Sequence, residues 1–331
     1  MKIKNLSSTL NNIKVYTILL VIIGHVLAIY THLSLFPHIG SKVTGLLYNL
    51  IYSFHMPLFI FVSGAVYAIC RDKGKYSTWS ELIKSKSKRI LVPYITFCLI
   101  ILFPTLKVLG VYNKTLFQWL YDAFWGLTIR HLWYLMVLFE MFIVTYFIES
   151  LRKNFNHYII LLISLCVAIL AYNINVPQIL QVNMLLKFYI YFLLGFYVGR
   201  GKIYICCNLW CCIIFVIIGL IGNYIMYQLP TILYSFVTII TAICLLVVAY
   251  SICQLNNLGS NTKIYNVLKK DGMGIYLFHV IFIYIFFYFD LFADCGIYIQ
   301  IISATLTSLL LSIAATRLVR IARLGFLIGE L

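Results

Sequence analysis

The sequence predicts an all-α integral membrane protein, a bundle of about ten transmembrane helices with both termini in the cytoplasm. Three observations carry that expectation. Of the 331 residues, 63% are hydrophobic and only 10% are charged, against roughly 25% charged in a soluble domain. Mean hydropathy is +0.99. The net charge of +16 is distributed unevenly along the chain. A water-soluble enzyme would leave too much apolar surface uncovered, and a disordered chain needs the opposite composition. One multi-pass domain is expected over residues 1–331, without a second soluble domain.

A spanning helix needs about 20 mostly apolar residues. Ten stretches qualify: 13–34, 43–70, 90–110, 131–150, 157–174, 184–200, 204–227, 231–253, 272–290 and 295–317. The first has too long an apolar run for a cleaved signal peptide, and no small-x-small site follows it. Ten spans place both termini on one side. If that side is the cytoplasm, it receives 20 of the 25 Lys and Arg residues, and the outside keeps Lys42, Lys107, Lys114, Arg130 and Lys187. That asymmetry is the positive-inside pattern. It accounts for the basic balance without any nucleic acid, and the bilayer lipids are the expected surroundings. Two connections are long. Residues 71–89 form a Lys- and Ser-rich cytoplasmic loop, and 111–130, with Trp119, Asp122 and Trp125, reads as an interfacial or re-entrant segment. No internal repeat is apparent. The ten cysteines sit mostly in apolar runs and read as small hydrophobes. The cluster Cys206, Cys207, Cys211 and Cys212 lacks His or carboxylate partners, so no metal is expected.

Ionisable groups at membrane depth are the functional suspects. In the first span His25 follows Lys14 by 11 residues, roughly 16 Å along a helix and nearly the same face. Lys14 would then open a face at whose middle His25 lies. A histidine satisfied by a neighbouring helix is the plain alternative. In the second span, His55 falls at similar depth, and Pro57 withholds a backbone donor, which favours a kink. Ser63 and Gly64 permit close helix approach. In the fourth span Trp133 and Glu140 share a face, with Arg130 and His131 at the outer start. In the ninth, Tyr276 and His279 share a face. His32, His38 and His157 are boundary residues. On the cytoplasmic side Lys86 and Arg89 stand three apart, before Pro93, either as ordinary inner-leaflet charge or as a clamp for a phosphate-bearing ligand.

Five segments in this order resemble the membrane-bound acyltransferase-3 family: IKVYTILLVIIGH, SFHMPLFIFVSG, KSKRILVPY, HLWYL and GMGIYLFH. Lys14 stands where Arg is commoner in the family, and Asn11 and Asn12 where it often has an acidic residue; the Lys-bearing version resembles the fucose O-acetylase-like subgroup. The resemblance implies transfer of an acyl group, most often acetyl, from cytoplasmic acetyl-CoA to a carbohydrate hydroxyl. The acceptor would be a cell-surface or lipid-linked sugar, and the protein would sit in a bacterial cytoplasmic membrane. His25 and Glu140 become the catalytic candidates, the first as general base and the second as its orienter or a sugar ligand. Lys14, Lys86 and Arg89 become the candidates for the donor phosphates. His55, Trp133, Ser63, Tyr276 and His279 are the acceptor-binding candidates. No metal and no obligate protein partner are implied. Two other readings stay open: a transporter or flippase for a polar solute, and a lipid-binding scaffold. The absence of an inverted repeat, with only Pro57 clearly inside a helix, counts against transport.

Overall fold

The structure, a computed structural model, describes residues 2–31, 40–110, 113–127, 130–151, 156–205, 208–255 and 262–330. Among these residues there are helices and turns and no strand. The long helices are α1 (Lys2–Thr31), α2 (Lys42–Asp72), α3 (Trp79–Val108), α4 (Leu116–Trp125), α5 (Trp133–Leu151), α6 (His157–Asn173), α7 (Val182–Gly199), α8 (Leu209–Ile225), α9 (Thr231–Leu255), α10 (Lys263–Tyr288) and α11 (Ile297–Ile321). Nine stretches among the described residues are long and apolar enough to cross a membrane; α6, with 17 residues, is shorter. Large apolar side chains stand exposed along α8 (Ile214, Ile217, Ile221) and α11 (Ile302, Leu306, Leu310). Water would penalise such faces, and lipid would not.

Two expectations need correction, and a third segment is seen in more detail. The loop 71–89 is helical from Trp79 onward, so the Lys-rich stretch forms the first turns of α3. Pro57 is not the only proline inside a helix, because Pro93 and Pro104 lie within α3. Each lacks an N–H, and each sits beside a π-turn, Ser87–Leu91 and Phe97–Leu102, that widens the helix instead of breaking it. The segment 111–130 contains a regular helix, α4. Thr115 and Gln118 form its capping box, and Gly126, left-handed at φ 69°, ends it. His32, His38, Arg152, Lys153, Cys206 and Cys207 lie outside the described residues.

The chain forms two compact units, and α1, α2, α3 and α5 each contribute to both. The first comprises Met1–Thr17, Tyr52–Lys84 and Val137–Thr262. Its closest helix contact is α2 on α7. A Cβ added at Gly64 would lie 2.1 Å from the Phe192 carbonyl oxygen, and one at Gly195 would lie 1.9 Å from that of Phe61. Gly195 and Gly199 form a G-x-x-x-G pair, the pattern that lets membrane helices touch backbone to backbone. Asn12, buried, ties α1 to α9 by donating to the Cys253 carbonyl at 3.2 Å. At one end of the unit Glu149 accepts from Arg71 at 3.0 Å and from Arg200, which also reaches Asp72. A cavity of about 510 Å³ borders Arg200, with Thr9, Tyr204, Tyr250 and Gln254 in its lining.

The second unit comprises Ile18–Ile51, Ser85–Met136 and Lys263–Leu331. Its centre is α10, which buries Ile275, Tyr276, Leu277 and His279. Against α10 packs a stripe of α11 with a four-residue repeat: Gln300, Ala304, Ser308, Ser312 and Thr316, all buried. Thr316 fills the notch at Gly274, where an added Cβ would meet its hydroxyl oxygen at 2.1 Å. The helix α4 lies on α3: the Trp119 indole donates to the Cys98 carbonyl at 2.9 Å and Tyr94 donates to that of Ala123. After α11 the chain turns through Gly325–Ile328, burying Ile328. Gly329 then seats its backbone against the Arg89 carbonyl, so close that a Cβ would lie 2.5 Å from that oxygen.

Candidate active site

Three histidines converge within the second unit, one from each of three separated segments. The His25 ring on α1 lies 5.1 Å from His279 on α10 and 6.3 Å from His131, centroid to centroid. His131 and His279 are 5.3 Å apart. His131 and His279 are buried, and His25 is half-buried, so of the three it is the one a small molecule can approach.

Backbone carbonyls set the state of the two buried rings. His279 Nδ1 faces the carbonyl oxygens of Tyr276 at 2.7 Å and Ile275 at 3.1 Å. Both belong to its own helix turn. A carbonyl only accepts, so Nδ1 carries the hydrogen and donates. By the same reasoning His131 Nε2 donates to the Leu277 carbonyl at 3.2 Å. The other nitrogen of each ring, His279 Nε2 and His131 Nδ1, is buried and has no hydrogen-bond partner among the described residues. Ionising either ring would add a second buried N–H, and a charge, with nothing to receive them. The assignment from these partners is therefore two neutral imidazoles, each holding out a lone pair.

The surroundings fix these rings further. Tyr276 donates its hydroxyl to the His131 carbonyl, and its ring meets Tyr134 edge-on at 5.5 Å. The Ser308 hydroxyl of α11 donates to the His279 carbonyl at 2.9 Å. Trp133, half-buried, opens α5 immediately before Tyr134. Lys86, half-buried, and Arg89, exposed, belong to this same unit. The π-turn begins directly after Lys86, so their three-residue spacing is not that of a regular α-helix.

The remaining candidates lie in the first unit. Lys14 is half-buried on α1, in the part assigned to that unit. His55 is buried with the Tyr52 ring 4.7 Å away. The Ser63 hydroxyl donates to the Phe59 carbonyl at 3.0 Å, within its own helix. Glu140 has one carboxyl oxygen, Oε2, buried without a hydrogen-bond partner among the described residues.

Sequence reasoning singled out His25, Tyr276 and His279 separately, with Tyr276 and His279 near the inner leaflet, and read His131 only as the outer start of a helix; it did not bring the three histidines together. The one signal for His131 was its position at the head of HLWYL. Among the described residues no group of three or more His, Cys, Asp or Glu is disposed to hold a metal ion.

A family model described as an acyltransferase domain, that of acyltransferase-3, matches residues 8–317, nearly the whole chain and all of the helices that carry these histidines. No curated protein and no solved structure matches.

Proposed function

The chain belongs to the acyltransferase-3 family, and from that premise we propose that this membrane acyltransferase moves an acetyl group from acetyl-CoA to a hydroxyl of a carbohydrate, with His25 as general base. The observation that carries the reading is the histidine cluster of the second unit. One approachable imidazole lies against two buried ones, each with a lone pair that has no partner among the described residues.

A sugar hydroxyl is a weak nucleophile near neutral pH, so its proton must leave as its oxygen attacks. In the proposed step His25 takes that proton, the oxygen bonds to the thioester carbonyl carbon, and the carbon–sulfur bond breaks. The imidazolium then returns the proton to the CoA thiolate. A fresh cation on His25 needs an acceptor for its other N–H, and the lone pairs of His131 Nδ1 and His279 Nε2 are in the same cluster. These two histidines act as positioning residues. Carbonyls hold their rings in one tautomer, and Ser308 and Tyr276 hold the backbone that bears them.

The donor's phosphates call for cations, and Lys86 and Arg89, both in the second unit, are assigned to them. Trp133, half-buried at the head of α5 in the same unit as the histidines, is assigned to the acceptor. The acceptor is taken to be a cell-surface or lipid-linked sugar, at a bacterial cytoplasmic membrane with both termini inside. Family membership favours this chemistry over solute transport. The test is thiol release from acetyl-CoA by the purified protein in detergent, with and without candidate sugars. Sugar-dependent release together with an acetylated sugar supports the proposal. Acylation of the sugar from another acyl-CoA but never from acetyl-CoA overturns the donor assignment. Transfer only to non-sugar hydroxyls overturns the acceptor.

A further inference from the structure

Where α10 begins and α11 ends, the second unit has an open cavity of about 510 Å³, lined by Asn266, Lys270, Asp271, Arg317 and Arg320 among others. Its charges are not matched in pairs. Asp271 is buried and bonded to Arg320, and Arg320 also makes two 2.9 Å bonds to the Glu330 carboxylate and donates to the Lys270 carbonyl at 3.2 Å. That arginine is fully committed. Arg317 reaches Asp271 only at 3.8 Å, with its side chain 56% exposed. The Lys270 ammonium pairs with no carboxylate among the described residues. Among the described residues the cluster thus sets three cations, Lys270, Arg317 and Arg320, against two carboxylates, Asp271 and Glu330, which leaves one positive charge over, with the Arg317 guanidinium held only at long range and the Lys270 ammonium open to the cavity.

The cavity is also tied to the basic start of α3. Glu330 grips Arg320, and one residue earlier Gly329 lies against the carbonyl of Arg89. Ile328, buried, anchors the segment between them. Arg317, Lys270 and the Arg89 turn thus belong to one packed corner of the same unit.

We propose that this cavity is a phosphate-binding site, in which Arg317 and Lys270 hold one phosphate group with Asn266 as a neutral donor at its side. A guanidinium fork matches phosphate oxygens in pairs, and a lysine adds a point charge. Two sources carry that chemistry here: the ribose 3′-phosphate of CoA, which rests on the donor proposed above, and the headgroup of an anionic lipid, which does not.

The test uses the full chain and the double variant Lys270→Ala/Arg317→Ala, in nanodiscs of phosphatidylcholine with or without phosphatidylglycerol. Both side chains are exposed, and Arg320, which braces the fold, is left alone. One arm measures the affinities of CoA and dephospho-CoA, which lacks the 3′-phosphate. The other measures the rise in thermal midpoint that phosphatidylglycerol produces. If the cavity takes the cofactor phosphate, the wild type prefers CoA about 3- to 10-fold, as for contacts at exposed cations, and the double variant does not. If it takes a lipid headgroup, phosphatidylglycerol stabilises the wild type more than the variant, and neither protein prefers CoA. Failure of both proteins to bind CoA, with the lipid difference retained, would refute the donor proposed above and still support the phosphate site. The inference is overturned if neither discrimination exists in the wild type, or if whichever the wild type shows survives undiminished in the double variant.

Discussion

Gly195→Ala is expected to destabilise the protein, although the same exchange in an ordinary helix stabilises. An alanine there would place its Cβ 1.9 Å from the Phe61 carbonyl oxygen, about 1.5 Å inside an ordinary contact. The atom in the way is backbone, so no side chain can swing aside. Either α2 and α7 separate or the carbonyl tilts out of its helix. Separation loosens a second contact too, because Gly64 meets the Phe192 carbonyl in the same crossing. Relieving an overpacked core costs about 1–3 kcal/mol. Helix propensity returns about 0.5–1 kcal/mol for Gly to Ala. The net is a loss of up to about 2.5 kcal/mol, larger the less the two helices can yield. The internal control is Gly45→Ala on α2, where an added Cβ meets nothing within 4 Å and propensity acts alone. Thermal unfolding in one detergent, followed by light scattering and intrinsic fluorescence, should lower the midpoint for Gly195→Ala and leave it equal or higher for Gly45→Ala. Equal midpoints for the two variants would refute the backbone contact.

Four further outcomes follow from the site. His25→Ala should retain membrane insertion and lose turnover by about 10²–10⁴-fold; a variant keeping a tenth of wild-type turnover would refute the general-base role. His131→Asn and His279→Gln place an amide oxygen where each lone pair stood, so they should keep more turnover than His131→Leu and His279→Leu at equal KM; equal loss in both sets would leave only a packing role. Lys86→Ala and Arg89→Ala should raise KM for acetyl-CoA more than for the sugar, and added salt should mimic them, since exposed charges are screened over about 8–10 Å; unchanged donor KM in both variants would contradict the assignment. In sealed inside-out vesicles given external acetyl-CoA, an enclosed sugar should be acetylated; labelling of an external, impermeant sugar alone would place both substrates on the cytoplasmic face.

The helical class was legible because its cause is local. The apolar runs are long enough to favour helices in lipid, but the count is less secure: of the ten stretches expected, 157–174 forms a helix of only 17 residues, and nine among the described residues are long enough to cross. Span ends were less legible. Trp79 to Arg89 reads as a loop because Lys and Ser are polar, but the rings of Tyr146 and Phe147, which Trp79 meets at 5.6 and 4.9 Å, are distant in sequence. The α2–α7 crossing was half-visible: Ser63 and Gly64 signalled close approach, and nothing in α2 named its partner. In the site, the three-residue spacing of Tyr276 and His279 correctly placed them on one face. The weight of His131 was invisible, because its Leu277 carbonyl partner is 146 residues away. A ring's tautomer is set by such partners, and sequence gives only the ring.

The buried stripe of α11 bears on how the protein is assembled. Ser312 and Thr316 each return their hydroxyl hydrogen to the carbonyl four residues earlier, at 2.6 and 2.7 Å. Such a helix enters a bilayer with those donors already satisfied, before any neighbour is present. Ser308 differs, because its hydroxyl reaches across to the His279 carbonyl. Of these three hydroxyls, it alone depends on a partner helix. With α11 docked on α10, the Ser308 hydroxyl is spent on the histidine-bearing helix, while those of Ser312 and Thr316 are spent within α11. Biogenesis can therefore proceed in two stages, insertion first and docking second, with a single hydroxyl recording that the second stage is complete.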